Sequence, residues 1–234
     1  MFTNNAYPFK HRMLYFKLYF ATLLIVILNS CAPSRYVKPL AKKQSAASFS
    51  FGGPLIKFSG APIPIPFSTL GYGYGLSDNL TLYGNLHTTS ALFGNGQVDL
   101  GTTFTIYKKE EKFGITASPA FQLAYNIRNR TGFRVWPSVD LNAYFHLTKK
   151  PSYIYAGINS WFEFSKLKAH DETQKKHVLP NLQIGYVIVK TKWQHQFECK
   201  YLGIGIPNLP GVVDYIGVSH KGSFGIYYSL IRKF

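Results

Sequence analysis

The last twelve residues, Ser223–Phe234, alternate without a break. One parity carries Phe224, Ile226, Tyr228, Leu230, Arg232 and Phe234; the other carries Ser223, Gly225, Tyr227, Ser229, Ile231 and Lys233. Successive side chains of a strand point to opposite faces, so this pattern describes one strand with a greasy face and a mostly polar face. If the greasy face meets lipid, an unpaired edge leaves backbone N–H and C=O groups unsatisfied in hydrocarbon, and the rest of the chain must supply neighbours.

It does so from Ala47 onward, in units of about 10 to 16 alternating residues, each ended by a turn. A spanning strand needs roughly 9–11 residues. Phe49 and Phe51 open the first strand. Pro62, Pro64 and Pro66 then read as loop, because proline donates nothing to a ladder. The next strand, about 67–76, places Leu70, Tyr72, Tyr74 and Leu76 on one face and Gly71, Gly73 and Gly75 on the other. Further strands are expected at about 80–88, 97–107, 113–125, 133–147, 153–164, 178–189 and 193–201, with Ser223–Phe234 as the tenth. Eight or twelve stay open, since 212–218 could itself be extended. Short connections (77–79, 108–112, 148–152, 190–192) alternate with mostly longer ones (89–96, 166–177, 203–222), and both barrel ends fall on the short-turn side. The fold class expected is all-β: an antiparallel up-and-down transmembrane barrel.

A soluble lipocalin-like barrel alternates too, but would bury the opposite face. Here that face carries Asp99, Arg134, Asp140, Asn142, Glu163, Gln183, Gln196, Glu198 and Lys200, which is too polar for a dry core.

The N-terminus sets the compartment. Leu18–Leu28 is an apolar stretch of 11 residues, short of the roughly 20 that a spanning helix needs. Lys10, Arg12 and Lys17 precede it and small residues follow, as in an export signal over residues 1–30. Leu28-Asn29-Ser30-Cys31 resembles the bacterial lipobox, which implies a lipid on Cys31. Residues 31–46, with Pro33, Pro39, Arg35, Lys38, Lys42 and Lys43, then read as a flexible basic tether, and 47–234 as the barrel. The terminal strand, with Tyr228, Leu230 and Phe234, resembles the assembly signal of bacterial outer-membrane β-barrels, Arg232 being a departure. Gly75-Leu-Ser-Asp-Asn-Leu-Thr-Leu-Tyr-Gly84 resembles their hairpins. The chain is similar to the OmpA/OmpX-like small-barrel class, with a Bacteroidota-type lipoprotein signal. The resemblance implies outer-membrane lipids and the barrel-assembly machinery as partners, with other outer-membrane proteins possible. It also implies an anchor in the periplasmic leaflet, because no acidic residues follow Cys31.

The formal net charge is +16. The cations fall in turns and at strand ends, where they meet anionic headgroups, and no nucleic-acid module is present. Asp99, Arg134, Asp140, Glu163, Glu198 and Lys200 are the candidate lumen network, with Asp140, Glu198 and Lys200 nearest mid-barrel. They are read as a salt-bridged filling, aided by inward Tyr83, Tyr107, Trp136, Tyr144, Tyr155 and Trp161. The function expected is a small structural or accessory barrel that docks partners. A narrow pore and a lipid-modifying hydrolase or protease are the alternatives. For the enzymes, Ser219, His220 and Asp214, or His170, Asp171, Glu172 and His177, are the nearest constellations; the first lacks the His-x-Ser spacing, and the second lies on a Lys-rich loop typical of solvated charge. No metal spacing and no cofactor motif is found; His87 and His146 are expected as hydrogen-bonded lumen groups.

Overall fold

The computed structural model describes residues 36–110, 112–129, 131–148, 150–166, 173–208 and 213–234. The export signal, Cys31, and the loop residues His170, Asp171 and Glu172 lie outside the described residues.

The elements in chain order are β1 (Ser45–Phe58), β2 (Ala61–Pro64), β3 (Phe67–Ser77), β4 (Leu80–His87), α1 (Thr88–Leu92), β5 (Asn95–Lys109), β6 (Phe113–Asn126), β7 (Thr131–Phe145), β8 (Tyr153–Phe162), β9 (Val178–Val189), β10 (Trp193–Pro207) and β11 (Lys221–Lys233). From β3 to β11 each strand pairs with the next in sequence, and β3 pairs with β1. The sheet closes where β11 pairs with β1, from Ala46↔Lys233 to Pro54↔Gly225, all antiparallel. β2 pairs with β1 beyond that seam, Leu55↔Pro64 to Phe58↔Ala61, and forms an arm rather than a stave. The barrel therefore has ten strands, which removes every lipid-exposed edge. Pro62 and Pro64 sit in the arm, where a missing N–H costs little. Of the stretch expected at 212–218, the described residues 213–218 do not add a strand. Its Ile216 N–H donates to Leu55 O at 2.9 Å and Asp214 O accepts from Lys57 N–H at 2.9 Å, so it lies along the free side of the same arm.

The alternation read from the sequence is the alternation of the barrel wall. Leu100, Phe121, Leu182, Ile184, Phe197 and Ile226 point out and are exposed. Thr81, Thr103, Thr116, Asn142, Gln196 and Ser229 point in and are buried. This is the reverse of a water-soluble protein and the pattern of an outer-membrane barrel. One residue expected inward is not: Tyr107 is half exposed, because the β5–β6 register shifts between Thr105 and Tyr107 and turns it outward. Arg134 keeps the inward parity of Trp136 and Ser138, opposite Ala124, and is exposed at the loop end near the start of β7.

The two rims differ. The β3–β4, β5–β6, β7–β8 and β9–β10 connections are short and, with both ends of the staves, mark the turn end; α1 and the β1–β2 arm mark the loop end. Ten strands about 4.8 Å apart and tilted by about 40° put the backbone roughly 10 Å from the axis. That radius leaves a channel unless something besides the wall fills it.

Candidate functional site

Residues 36–44 fill it at the turn end. Tyr36, Val37 and Leu40 are 3%, 1% and 3% exposed, as deep as any core residue, although the sequence reads this stretch as part of a flexible tether. The wall is built to receive it. Thr103 and Thr116 donate from their hydroxyls to the Tyr36 and Val37 carbonyls at 2.9 and 2.8 Å, and Leu40 N–H donates to Thr81 Oγ1 at 2.7 Å. These threonines stand on β4, β5 and β6, so the segment crosses the lumen instead of running along one strand. Tyr36 OH donates to Ala46 O at 3.2 Å, and Lys43 N–H donates to Gly75 O at 2.8 Å. The lumen face of β3 is Gly71, Gly73 and Gly75, and the last two take the Tyr36 ring and the Ala41 carbonyl where side chains would stand. On the far wall Lys38 Nζ donates to His146 Nε2 at 3.0 Å and lies 4.7 Å from the Tyr144 ring centre and 5.4 Å from that of Tyr153. Tyr144, Tyr153, Tyr155, Val37 and Val187 form one buried cluster beneath it.

Above this plug the lumen is crossed by polar tiers. Glu198 and Lys200, two residues apart on one face of β10, pair at 3.5 Å, with side chains 0% and 3% exposed. Glu198 Oε2 also accepts from Tyr155 OH at 2.6 Å, and Gln196 Nε2 donates to that hydroxyl at 3.0 Å. Asn142 Oδ1 accepts from Gln183 Nε2 at 2.6 Å across Gly157. Asp140 Oδ1 accepts from Asn159 Nδ2 at 2.5 Å, Asn159 Oδ1 from Asn181 Nδ2 at 2.7 Å, and Asn181 Oδ1 from Gly203 N–H at 2.7 Å. These hydrogen bonds tie one wall to the next, although Gln183 Oε1 is buried without a hydrogen-bond partner.

Two further groups stand nearer the loop end. Asp99 Oδ1 and His87 Nε2 are 2.8 Å apart, both buried. Glu163 leaves the last turn of wall and accepts from the Trp136 indole N–H and the Ser165 backbone N–H, each at 2.7 Å. Burial alone would raise its pKa, but the Ser165 and Trp136 hydrogen bonds and the Arg134 charge outweigh it and hold it below the ordinary carboxylate value. Of the six charged candidates, Glu198 meets Lys200, Asp140 meets Asn159, Asp99 meets His87, and Glu163 meets Trp136 and feels the Arg134 charge. Sequence parity identifies the inward rows, but Tyr36, Val37, Lys38 and Leu40 escape it, being outside any strand.

The terminal strand is in place, with Tyr228, Leu230 and Phe234 on the outer face. Arg232 is outward as well, and its guanidinium stands 5.5 Å from the Trp193 ring centre and 5.2 Å from that of Phe234. At the turn-end rim a cation can lie over aromatic faces with its head in water, which accounts for the departure from the usual assembly signal. Ser219 and His220 are consecutive exposed turn residues with positive φ, and Asp214 faces Lys57 at 3.9 Å, so the residues of that candidate do not converge. Among the described residues no group of three or more His, Cys, Asp or Glu could hold a metal ion.

No protein-family model matches the sequence, and no curated protein matches it. The fold has many counterparts. An outer-membrane channel from Pseudomonas putida F1 superposes on 87% of this chain and 100% of its own, with a TM-score of 0.50 at 11% identity. The translocator domain of the autotransporter NalP from Neisseria meningitidis covers 96% of this chain and 98% of its own, with a TM-score of 0.44 at 9% identity. The porin NanC covers 81% and 100%, at 0.45 and 10%. At 11% identity the likeness to the Pseudomonas putida channel is one of fold alone, a closed antiparallel barrel of the outer-membrane type.

Proposed function

We propose that this protein is a small outer-membrane β-barrel lipoprotein whose lumen is closed by its own chain, with a structural or accessory role that offers its rims to partners. The observation that carries this reading is the crossing of the lumen by Tyr36–Leu40, pinned by hydroxyls from three strands. A solute path would have to displace it, then pass the Glu198–Lys200 and asparagine tiers. The apolar outer belt supports residence in a bilayer, and the BAM-type assembly route follows from the terminal strand.

A lipid on Cys31 fits the same geometry. Tyr36 lies five positions beyond Cys31, a reach of about 17 Å when fully extended. Because Tyr36 sits near the turn end, that reach favours the leaflet on the turn side, the periplasmic one in an up-and-down barrel with both ends in the periplasm.

The test is made on cells producing the full chain. The protein should sediment with the outer membrane, migrate faster on gels unboiled than boiled, and leave proteoliposomes unswollen in iso-osmotic arabinose. Swelling at porin-like rates would replace the closed barrel by the pore.

A further inference from the structure

We propose that the turn-end mouth of the barrel is a binding site for a phosphate-bearing anion. Below the plug opens a cavity of about 870 Å³, within the size range of small-molecule sites. Among the described residues, Lys38, Lys112, Lys150 and Lys233 line it, with the Glu110 carboxylate. The four lysines come from four separate parts of the chain: the plug, the β5–β6 turn, the β7–β8 turn and the end of β11. Their convergence is made by the fold, not by a basic run of sequence.

Two of them are held by aromatic surfaces. Lys38 rests against Tyr144 and Tyr153 and donates to His146 Nε2, which fixes that ring in the form with a bare Nε2. Lys112 Nζ stands 5.5 Å from the ring centre of Phe145, which faces outward, so this contact holds the lysine at the edge of the cavity. Gln44 and Gln194 add amide groups to the lining. Like charges gathered in a concavity with low-dielectric walls focus a positive potential into it, and that arrangement costs stability until an anion enters. Lysines act as point charges for phosphate without demanding a fixed fork geometry, which suits four converging stems. The plug forms the floor, so an anion entering from the turn side stops there. The site rests on the closed-barrel reading for that floor, and consists of retention, not passage.

Two sources share this chemistry: a soluble polyphosphate, and the headgroup of an anionic phospholipid from the adjoining leaflet. The experiment uses the full-length protein in neutral detergent and then in phosphatidylcholine nanodiscs, titrated calorimetrically with inorganic tripolyphosphate. Wild type should bind, and binding should weaken as salt rises. The triple variant Lys112→Gln/Lys150→Gln/Lys233→Gln should lose about tenfold or more in affinity. The loop-end triple Lys57→Gln/Lys175→Gln/Lys176→Gln should bind as wild type does. Heat-modifiable migration checks that both variants fold. If phosphatidylglycerol in the nanodisc displaces tripolyphosphate, the lipid headgroup is the source; if it does not, a soluble anion is. Absence of tripolyphosphate binding, or an equal loss in both triples, overturns the proposal. Closure of the lumen is read separately, from thiol accessibility at residue 37, so the two readings can fail independently.

Discussion

The Tyr36 ring lies on the bare backbone of Gly73, so close that a methyl group added to the glycine would stand 2.7 Å from its Cε2 and Cζ atoms. No side-chain rotation relieves this, because Tyr36 is boxed by Tyr83, with ring centres 5.9 Å apart, and by its own bond to Ala46 O. The glycine row of β3 is thus a seat for the plug, and plug and wall are fitted at a few identifiable atoms.

Gly73→Val should therefore unseat the plug and leave the barrel standing, since β3 keeps its ladder to β1 and β4. A single thiol at Val37→Cys, in a Cys31→Ser/Cys199→Ala background, reports this. With Gly73 intact the thiol should resist a polar maleimide, because Val37 is buried; with Gly73→Val it should react. Equal reactivity in both, with heat-modifiability retained, would remove the plug from the account.

Glu198 and Lys200 are a buried pair whose attraction offsets two desolvation costs. Lys200→Met leaves a lone carboxylate in the lumen and should cost about 3–5 kcal/mol in urea unfolding. Glu198→Gln with Lys200→Met should recover most of that, as the Tyr155 hydroxyl keeps an acceptor. If the double variant is no more stable than Lys200→Met, the pair is not the unit that matters.

Glu163 predicts a direction with pH. Its folded pKa is lowered, so its stabilising contribution is complete above the ordinary carboxylate range and is lost as pH falls through the lowered value. The stability gap between wild type and Glu163→Gln should be constant near neutrality and shrink on acidification. Unfolding midpoints across that range check it; a gap that widens toward acid has the wrong sign.

Leu230→Arg puts a charge on the outer face of the closing strand, at a cost of roughly 2–4 kcal/mol near the bilayer midplane. Insertion should fall, seen as loss of the fast-migrating unboiled form. Cys31→Ser should abolish labelling by a fatty-acid analogue while leaving that form intact, since the strands supply integration. Labelling that survives the change would take the lipid off Cys31.

The wall of this barrel was legible because period-2 alternation needs no partner to be read. Phe224, Ile226 and Tyr228 announce the outer face, and Tyr227 and Ser229 the inner. The plug was not, because a segment held by hydroxyls and glycines from other strands has no period of its own. Lys38, Pro39, Lys42 and Lys43 read as solvated chain whether they hang free or line a cavity. Two traces of it were present: apolar Tyr36, Val37 and Leu40 in a basic stretch, and three inward glycines that left space unfilled. Tyr107 went astray for a simpler reason, a register shift. The pairing of Glu198 with Lys200 follows from parity, but which residue on a neighbouring strand each charge meets, such as His87 for Asp99, depends on strand stagger, which alternation does not encode.

Single-channel recording in a planar bilayer tests closure most directly, comparing wild type with a variant lacking residues 36–44. Wild type should be electrically silent, and the deletion, still heat-modifiable, should give small steady openings through a lumen freed at its turn end. Steady ion-selective openings from the wild type, indistinguishable from those of the deletion, would contradict the closed barrel and make its inward carboxylates the lining of a pore.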